Sequence, residues 1–280
     1  MTRELCTSLI DGFIDARHAD AASDYAQQIP TRVIAEILGV PQEMSETFVG
    51  WVRGALEFAV ADPARGAQAR VEIFMYLQSC IEERRDQPGD DLITYLVQSE
   101  VNGERVPERI VLGMSALLLV AGIDTTWSSI GSALLHLATH PGDRERLVRE
   151  PELIPTAVEE FLRAYSPVTM ARIVREDVEY QGQAMCAGDR VLMSFPAANR
   201  DPEKFEDADR VIIDRARNPH IAFGVGIHRC VGSNLARMEL RVALAQWLAR
   251  IPEFHLDDSA EVTWAGGQVR GPRSLPVLFP

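Results

Sequence analysis

Cys230 stands between Arg229 and a run of glycines, and a helical pattern from Ser233 to Arg250 begins just behind it. That placement suits a thiolate. The free peptide N–H groups and positive dipole end of the helix, with charge from Arg229 and His228, favour S⁻ over SH. Gly224, Gly226 and Gly232 allow unusual backbone torsions and let a flat, bulky group come close. The same residues also suit a buried structural cysteine beside a turn, because free cysteine is among the most buried residue types. The other cysteines, Cys6, Cys80 and Cys186, make no C-x-x-C pair and no zinc-like spacing with it. A reduced, cytoplasmic setting fits this usage.

A second chemical signal lies at Ala121-Gly122-Ile123-Asp124-Thr125-Thr126. An aspartate after an apolar run costs several kcal/mol if buried alone, so Asp124 needs a partner or water. Thr125 can turn its hydroxyl back to the carbonyl of Ala121, and Gly122 makes the helix easier to open, which predicts a kinked helix with a polar notch. A polar helix face with threonines bonded to the backbone is the plainer alternative. Glu160 and Arg163, three apart in Glu160-Phe161-Leu162-Arg163, can pair on one helix face. On a surface such a pair contributes only about 0.2–0.5 kcal/mol.

These residues need positioning elements, and the hydrophobic spacing supplies them. Leu5, Leu9, Ile10, Phe13 and Ile14 recur at helical period, so the chain opens inside a helix. A second helix starts at Ile29-Pro30 with Thr31 as cap and ends at Gly39. Helical patterns follow over Gln42–Phe58 and Arg65–Arg85, then a short helix capped by Asp90 or Asp91 with Leu96 as its anchor. Asn102-Gly103 marks a two-residue hairpin turn. Pro107 opens a very long helix, Glu108 to Thr139, and helices over Asp143–Arg149 and Glu152–Tyr165 come next. After Pro167 the period shortens to that of strands, around Arg172–Arg175, Val178–Tyr180 and Arg190–Met193. Residues 199–218 read as a polar loop. Gly266-Gly267 and Pro272 bracket a last pair of short strands, with Leu275, Val277 and Phe279 alternating.

The 280 residues can bury a large core, and 46% hydrophobic with 25% charged content is ordinary for a globular protein. A formal charge of −13 argues against nucleic-acid or anionic-membrane partners. One island runs the other way: five arginines, Arg215, Arg217, Arg229, Arg237 and Arg241, face a single acid, Glu239, around the cysteine. The longest apolar run, Ile110 to Ile123, falls short of the ~20 residues a membrane span needs, and reads as a buried helix. No export signal opens the chain.

The pattern Phe223-x-x-Gly226-x-His228-x-Cys230-x-Gly232 resembles the haem-ligand signature of the cytochrome P-450 superfamily. The oxygen-notch pattern, the E-x-x-R pair and a strand arginine occur in the family's order. The resemblance covers essentially all 280 residues and implies a mainly α cytochrome P-450 fold with a minor β component, lacking the usual N-terminal portion, as a single haem-binding domain over 1–280. It implies Cys230 as axial ligand of haem b, with Phe223, Gly226 and Gly232 shaping the loop. Arg172 and His228 would hold the haem propionates. Asp124 would gate protons and Thr125 steady bound oxygen. Glu160 and Arg163 would join a third arginine, for which Arg210 is the candidate. Substrate contacts would come from Leu118, Ala121, Gly122, Val168, Thr169, Met170, Gln268 and Val269. The implied reaction is insertion of one atom of O₂ into a small, largely apolar organic substrate, with electrons from NAD(P)H through a ferredoxin-type donor steered by the basic island. The alternative is a truncated, catalytically inactive haem-binding or partner-binding protein with the same core.

Overall fold

A computed structural model describes all 280 residues. Its axis is the long helix. The N-terminal elements are α1 (Thr2–Asp11), β1 (His18–Asp20), α2 (Gln28–Leu38), α3 (Ser45–Leu56), α4 (Pro63–Asp86) and α5 (Leu92–Gln98). The hairpin β2 (Glu100–Val101) and β3 (Glu104–Arg105) leads into α6 (Glu108–Thr139), followed by α7 (Pro141–Arg149) and α8 (Ile154–Ala164). Then come β4 (Thr169–Ile173), β5 (Val178–Tyr180), β6 (Gln183–Met185), β7 (Arg190–Ser194), α9 (Phe195–Ala198) and α10 (Ser233–Arg250). Four short strands close the chain: β8 (His255–Leu256), β9 (Thr263–Trp264), β10 (Pro272–Ser274) and β11 (Pro276–Leu278).

With 32 residues, α6 is about 48 Å long and serves two cores at once. Its first half packs with α2, α3, α4 and α5 around Phe48, Leu77, Ile93 and Leu119. Its second half packs with α7, α8, α10, β8 and β10, in a core that holds Trp127, Phe161, Trp247 and Val277. By length and composition α6 would also cross a membrane, which the count over its apolar run alone did not register. In the fold its second half is buried against other elements, while its first half keeps an exposed face at Ile110, Met114 and Leu117.

Local chemistry explains most boundaries. Asp91 caps α5 by accepting from the Thr94 N–H at 2.7 Å, and Leu96 is buried. Gly39 ends α2 in the left-handed region at φ 69°. Asn102 and Gly103 turn the β2–β3 hairpin at φ 55° and 81°, the type I′ pattern. Three expectations shift. Thr31 does not cap α2; the helix starts at Gln28, and the Thr31 hydroxyl donates back to the Gln27 carbonyl at 2.7 Å. The opening helix α1 ends at Asp11, short of Phe13 and Ile14, while Leu5 and Leu9 pack against the core beside the buried Cys6 and Ile10. Pro272 does not bracket the last strands from outside but is the first residue of β10.

The sheets are small and antiparallel. β1, β11 and β8 form one, with β11 central. β4 pairs with β7, placing Met170 opposite Met193 and Arg172 opposite Val191, and the β5–β6 hairpin is nested between them. Most of the β4–β7 surface is exposed, including Ile173 and Leu192.

Candidate functional site

The loop that carries Cys230 is pinned from beneath by α8. Glu160 and Arg163 are both wholly buried, and the carboxylate accepts five donors. Arg163 supplies two at 2.8 Å, the Ile212 N–H one at 2.8 Å, Arg215 Nε one at 3.0 Å and Asn218 Nδ2 one at 3.1 Å. The rest of the Arg163 fork donates to the carbonyls of Asn199, Ala208 and Arg210. Burial pushes the Glu160 carboxyl up, but these donors outweigh it and hold it below the usual range. The third arginine is therefore Arg215. Arg210 is exposed and pairs with Asp207 at 3.2 Å; only its backbone carbonyl joins the cluster. Both arginines follow an aspartate in sequence, and they differ in burial, Arg215 lying inside the cluster and Arg210 outside it.

A second set of contacts fixes Phe223. Glu159 receives Arg237 at 2.7 and 2.9 Å and His220 at 3.0 Å, and the Arg237 guanidinium lies 4.5 Å from the Phe223 ring centre. Burial opposes ionisation of Glu159, yet His220 and Arg237 hold it down to about 2. Asn199 ties the loop to the end of α8, donating to Ser166 Oγ at 2.6 Å and accepting the Ile221 N–H at 2.8 Å. The basic island is thus only partly available: Arg215 and Arg237 are spent on internal partners, Arg241 reaches Glu159 at 3.6 Å while staying exposed, and Arg217 and Arg229 are exposed.

Above these supports the loop turns through Gly224 at φ 69° and Gly226 at φ 65°, conformations that suit glycine. The Cys230 N–H donates to the Phe223 carbonyl at 2.8 Å, closing the loop on itself. The Cys230 thiol is free and exposed, and α10 begins three residues later without a side-chain cap. Ile227 and Val231, at 97% and 89% exposed, stand beside it. The residues present fit a haem. An exposed cysteine precedes a helix N-terminus, a Cβ at Gly226 would meet nothing, and the same loop exposes the apolar Ile227 and Val231. Arg172 on β4 has no acidic partner, its Nη1 donating only to the Ala171 carbonyl, and His228 is exposed.

On α6 the Thr125 hydroxyl donates to the Ala121 carbonyl at 2.8 Å, as expected, but the helix runs unbroken through this point. Gly122 has a packing reason instead: a Cβ there would collide with the Ile34 Cδ1 of α2. Asp124 is buried, and its partner is Arg273 of β10, with Nη2 2.6 Å from Oδ1. Burial raises the Asp124 pKa and Arg273 offsets only part of that. The final strands also meet the start of β4: Val168 bridges to Val269, and the Thr169 N–H donates to the Gln268 carbonyl at 3.0 Å. Two of the segments expected to contact substrate are therefore adjacent.

Sequence reasoning missed Arg273, Glu57 and the Glu159–His220–Arg237 set. Arg273 had a signal, a charged residue among the alternating apolar positions of the last strands. Glu57 had a local signal in Arg53 four residues before it, but its link to Arg273 and the Glu159 set had none, since those partners lie 61 to 216 residues away.

The cytochrome P450 family model matches residues 58–258, more than half of the chain. This chain belongs to the cytochrome P450 family. The P450 is 38% identical to the mycinamicin IV hydroxylase/epoxidase of Micromonospora griseorubida, over 99% of its own length and 71% of the relative's. It is 39% identical to the vitamin D(3) 25-hydroxylase of Pseudonocardia autotrophica, over 99% and 69% of the two chains. The solved structure of PksS, the cytochrome P450 of the Bacillus subtilis 168 bacillaene polyketide synthase, superposes with a TM-score of 0.93 at 37% identity. That match covers 99% of this P450 and 73% of PksS. The mainly helical P450 fold read from the sequence is confirmed, and the protein is a monooxygenase of haem, O₂ and redox-partner electrons.

Proposed function

We propose that this P450 binds haem b through Cys230 Sγ and oxygenates a small, largely apolar organic substrate with electrons from a ferredoxin-type donor. The observation that carries the reading is the exposed Cys230 thiol on a loop whose shape is set by buried, fully paired charges. Haem bound there would supply O₂ activation, with thiolate electron density favouring O–O cleavage. The chain's own residues do the rest. Gly226 and Gly232 let the cofactor approach, Phe223 holds the loop against Arg237, and Arg172 and His228 are placed to pair with propionates. Asp124 manages protons, and Thr125, half-exposed beside it, offers a hydroxyl on the face of α6.

Support for the substrate class comes from the named relatives, one specifying mycinamicin IV and the other vitamin D(3). Exposed apolar side chains near the start of β4, such as Met170, agree with it. For the electron donor, the exposed Arg229 and Arg241 are the residues that can steer an acidic partner. Reversing both charges should slow reduction by ferredoxins at low salt, and an unchanged rate would remove the support for that docking face.

The deciding test of the cofactor is spectroscopic. The full chain with haem, reduced and exposed to carbon monoxide, should show the red-shifted thiolate Soret band. Cys230→Ser should abolish that band while leaving the helical signal intact; a chain that retains no haem would reject the enzyme reading.

A further inference from the structure

Four arginines are buried, Arg144, Arg163, Arg215 and Arg273. Three of them face a carboxylate: Arg163 and Arg215 share that of Glu160, and Arg273 meets those of Asp124 and Glu57. Arg144, on α7 and only 9% exposed, has no acidic partner. The acid beside it in sequence, Asp143, is turned to His136, with Oδ2 2.8 Å from Nε2. A buried cation without a countercharge is costly, so the site calls for an anion.

What the chain gives Arg144 accounts for one nitrogen. Nη1 donates to the Leu137 carbonyl at 2.9 Å and to the Phe254 carbonyl at 2.8 Å. Leu137 is in the last turn of α6, so this contact satisfies an orphan carbonyl of the helix end. The other edge of the guanidinium is unused. Nε is closed off without an acceptor, and Nη2 has no acceptor but is not closed off. Arg144 lines a cleft of about 370 Å³ at the junction of α7 with the last strands. The Nε–Nη2 edge is the side of a guanidinium that matches a carboxylate with two parallel bonds.

The rest of the cleft narrows the ligand. Phe254, Leu278 and Phe279 give it an apolar wall, and the exposed His255 offers a further donor. Glu253, also exposed there, works against a doubly charged ligand. We infer that this cleft binds a small monocarboxylate with an apolar body, the carboxylate seated on Arg144 and the body against Phe254 and Leu278. The site shares no residue with the cysteine loop. Leu137 lies 12 residues beyond Thr125, about 18 Å along α6. A second carboxylate source lies within reach, because the end of the chain at Pro280 lines the same cleft.

The test is calorimetric titration of the full chain with benzoate at fixed ionic strength. One saturable site is expected, with inorganic phosphate binding more weakly. Arg144→Gln should weaken benzoate binding by about tenfold or more, through loss of a charged hydrogen-bond donor. Glu253→Gln should tighten it by about two- to fivefold, since only an exposed repulsion is removed. No saturable uptake of benzoate, or uptake that neither substitution changes, would overturn the inference. If Arg144→Gln does not fold, Glu253→Gln decides alone, with unchanged or weaker binding counting against the site. The haem-loaded chain should bind benzoate equally well; benzoate displaced by haem would place it at the cysteine loop and reject the cleft. A chain amidated at Pro280 separates the two carboxylate sources. Uptake seen only after amidation would show that the chain's own end answers Arg144, and the inference would fail; equal uptake by the two chains supports a free ligand.

Discussion

Beneath the cysteine loop, Glu160 is wholly buried and accepts five donors, while on the loop itself every residue from Val225 to Val231 is exposed and Ile227 touches almost nothing. The two regions are joined by fewer than a dozen residues of chain, yet they are built on opposite terms. The brace is over-determined: Arg163 uses all five of its N–H groups, so no neighbouring arrangement satisfies the same set. The loop makes few contacts of its own and owes its shape to the brace, to Glu159 with Arg237, and to two glycines. The difference teaches that rigidity and reactivity are separated here. The buried charges hold a frame, and the frame presents an accessible sulfur.

Arg163→Ala is the most severe way to break this contrast. It strands the Glu160 carboxylate in the interior and should cost about 3–5 kcal/mol in urea denaturation, or leave no folded chain. A loss below ~1 kcal/mol would show that the brace is not what holds the loop.

Glu239 sharpens the contrast, because it is the buried glutamate with no partner. It lies on α10, and burial drives its pKa from 4.5 up to about 8. The folded chain thus holds this proton more tightly than the unfolded one. The group's contribution to stability is full below about pH 4.5 and is lost as pH rises through 8, by on the order of 5 kcal/mol. Glu239→Gln should flatten that part of the melting-temperature profile between pH 4.5 and 9. A profile identical to the parent's would show that the carboxyl finds a partner. Glu160, with its folded pKa depressed, has the opposite sign: its contribution fades only as pH falls.

A smaller effect is expected at the seam that carries Arg273. A Cβ at Gly271 would collide with the Cα and Cβ of Ser128, so Gly271→Ala should push β10 off α6 and destabilise by about 1–3 kcal/mol by chemical denaturation. The smallest belongs to the loop. Ile227→Ser should change stability by no more than about 0.5 kcal/mol, since the side chain is 97% exposed, and its effect should appear in haem affinity. If Ile227→Ser instead destabilised the chain as much as Arg163→Ala, the separation of frame from loop would fail.

Local rules were readable where the answer lay within a few residues. Asp91, Gly39 and Asn102-Gly103 each ended or turned an element for a reason visible in three or four positions, and Glu160 with Arg163 met at helical spacing. Thr31 was misread because a hydroxyl bonded back to the Gln27 carbonyl looks the same in sequence as a cap. Gly122 has a second reason that the sequence did not show, the close approach of the Ile34 side chain from α2.

The amino-acid sequence by itself determined the helical periods, the order of the motifs and the one cysteine set in a glycine-rich turn before a helix, because these depend on neighbours and on residue type. Only the tertiary structure decided which charges meet. Arg215 rather than Arg210 completes the brace, and Arg273 rather than water answers Asp124, across 149 residues of chain. The physical reason is that burying a charge makes a countercharge obligatory without specifying where along the chain it comes from, and that choice is made by packing.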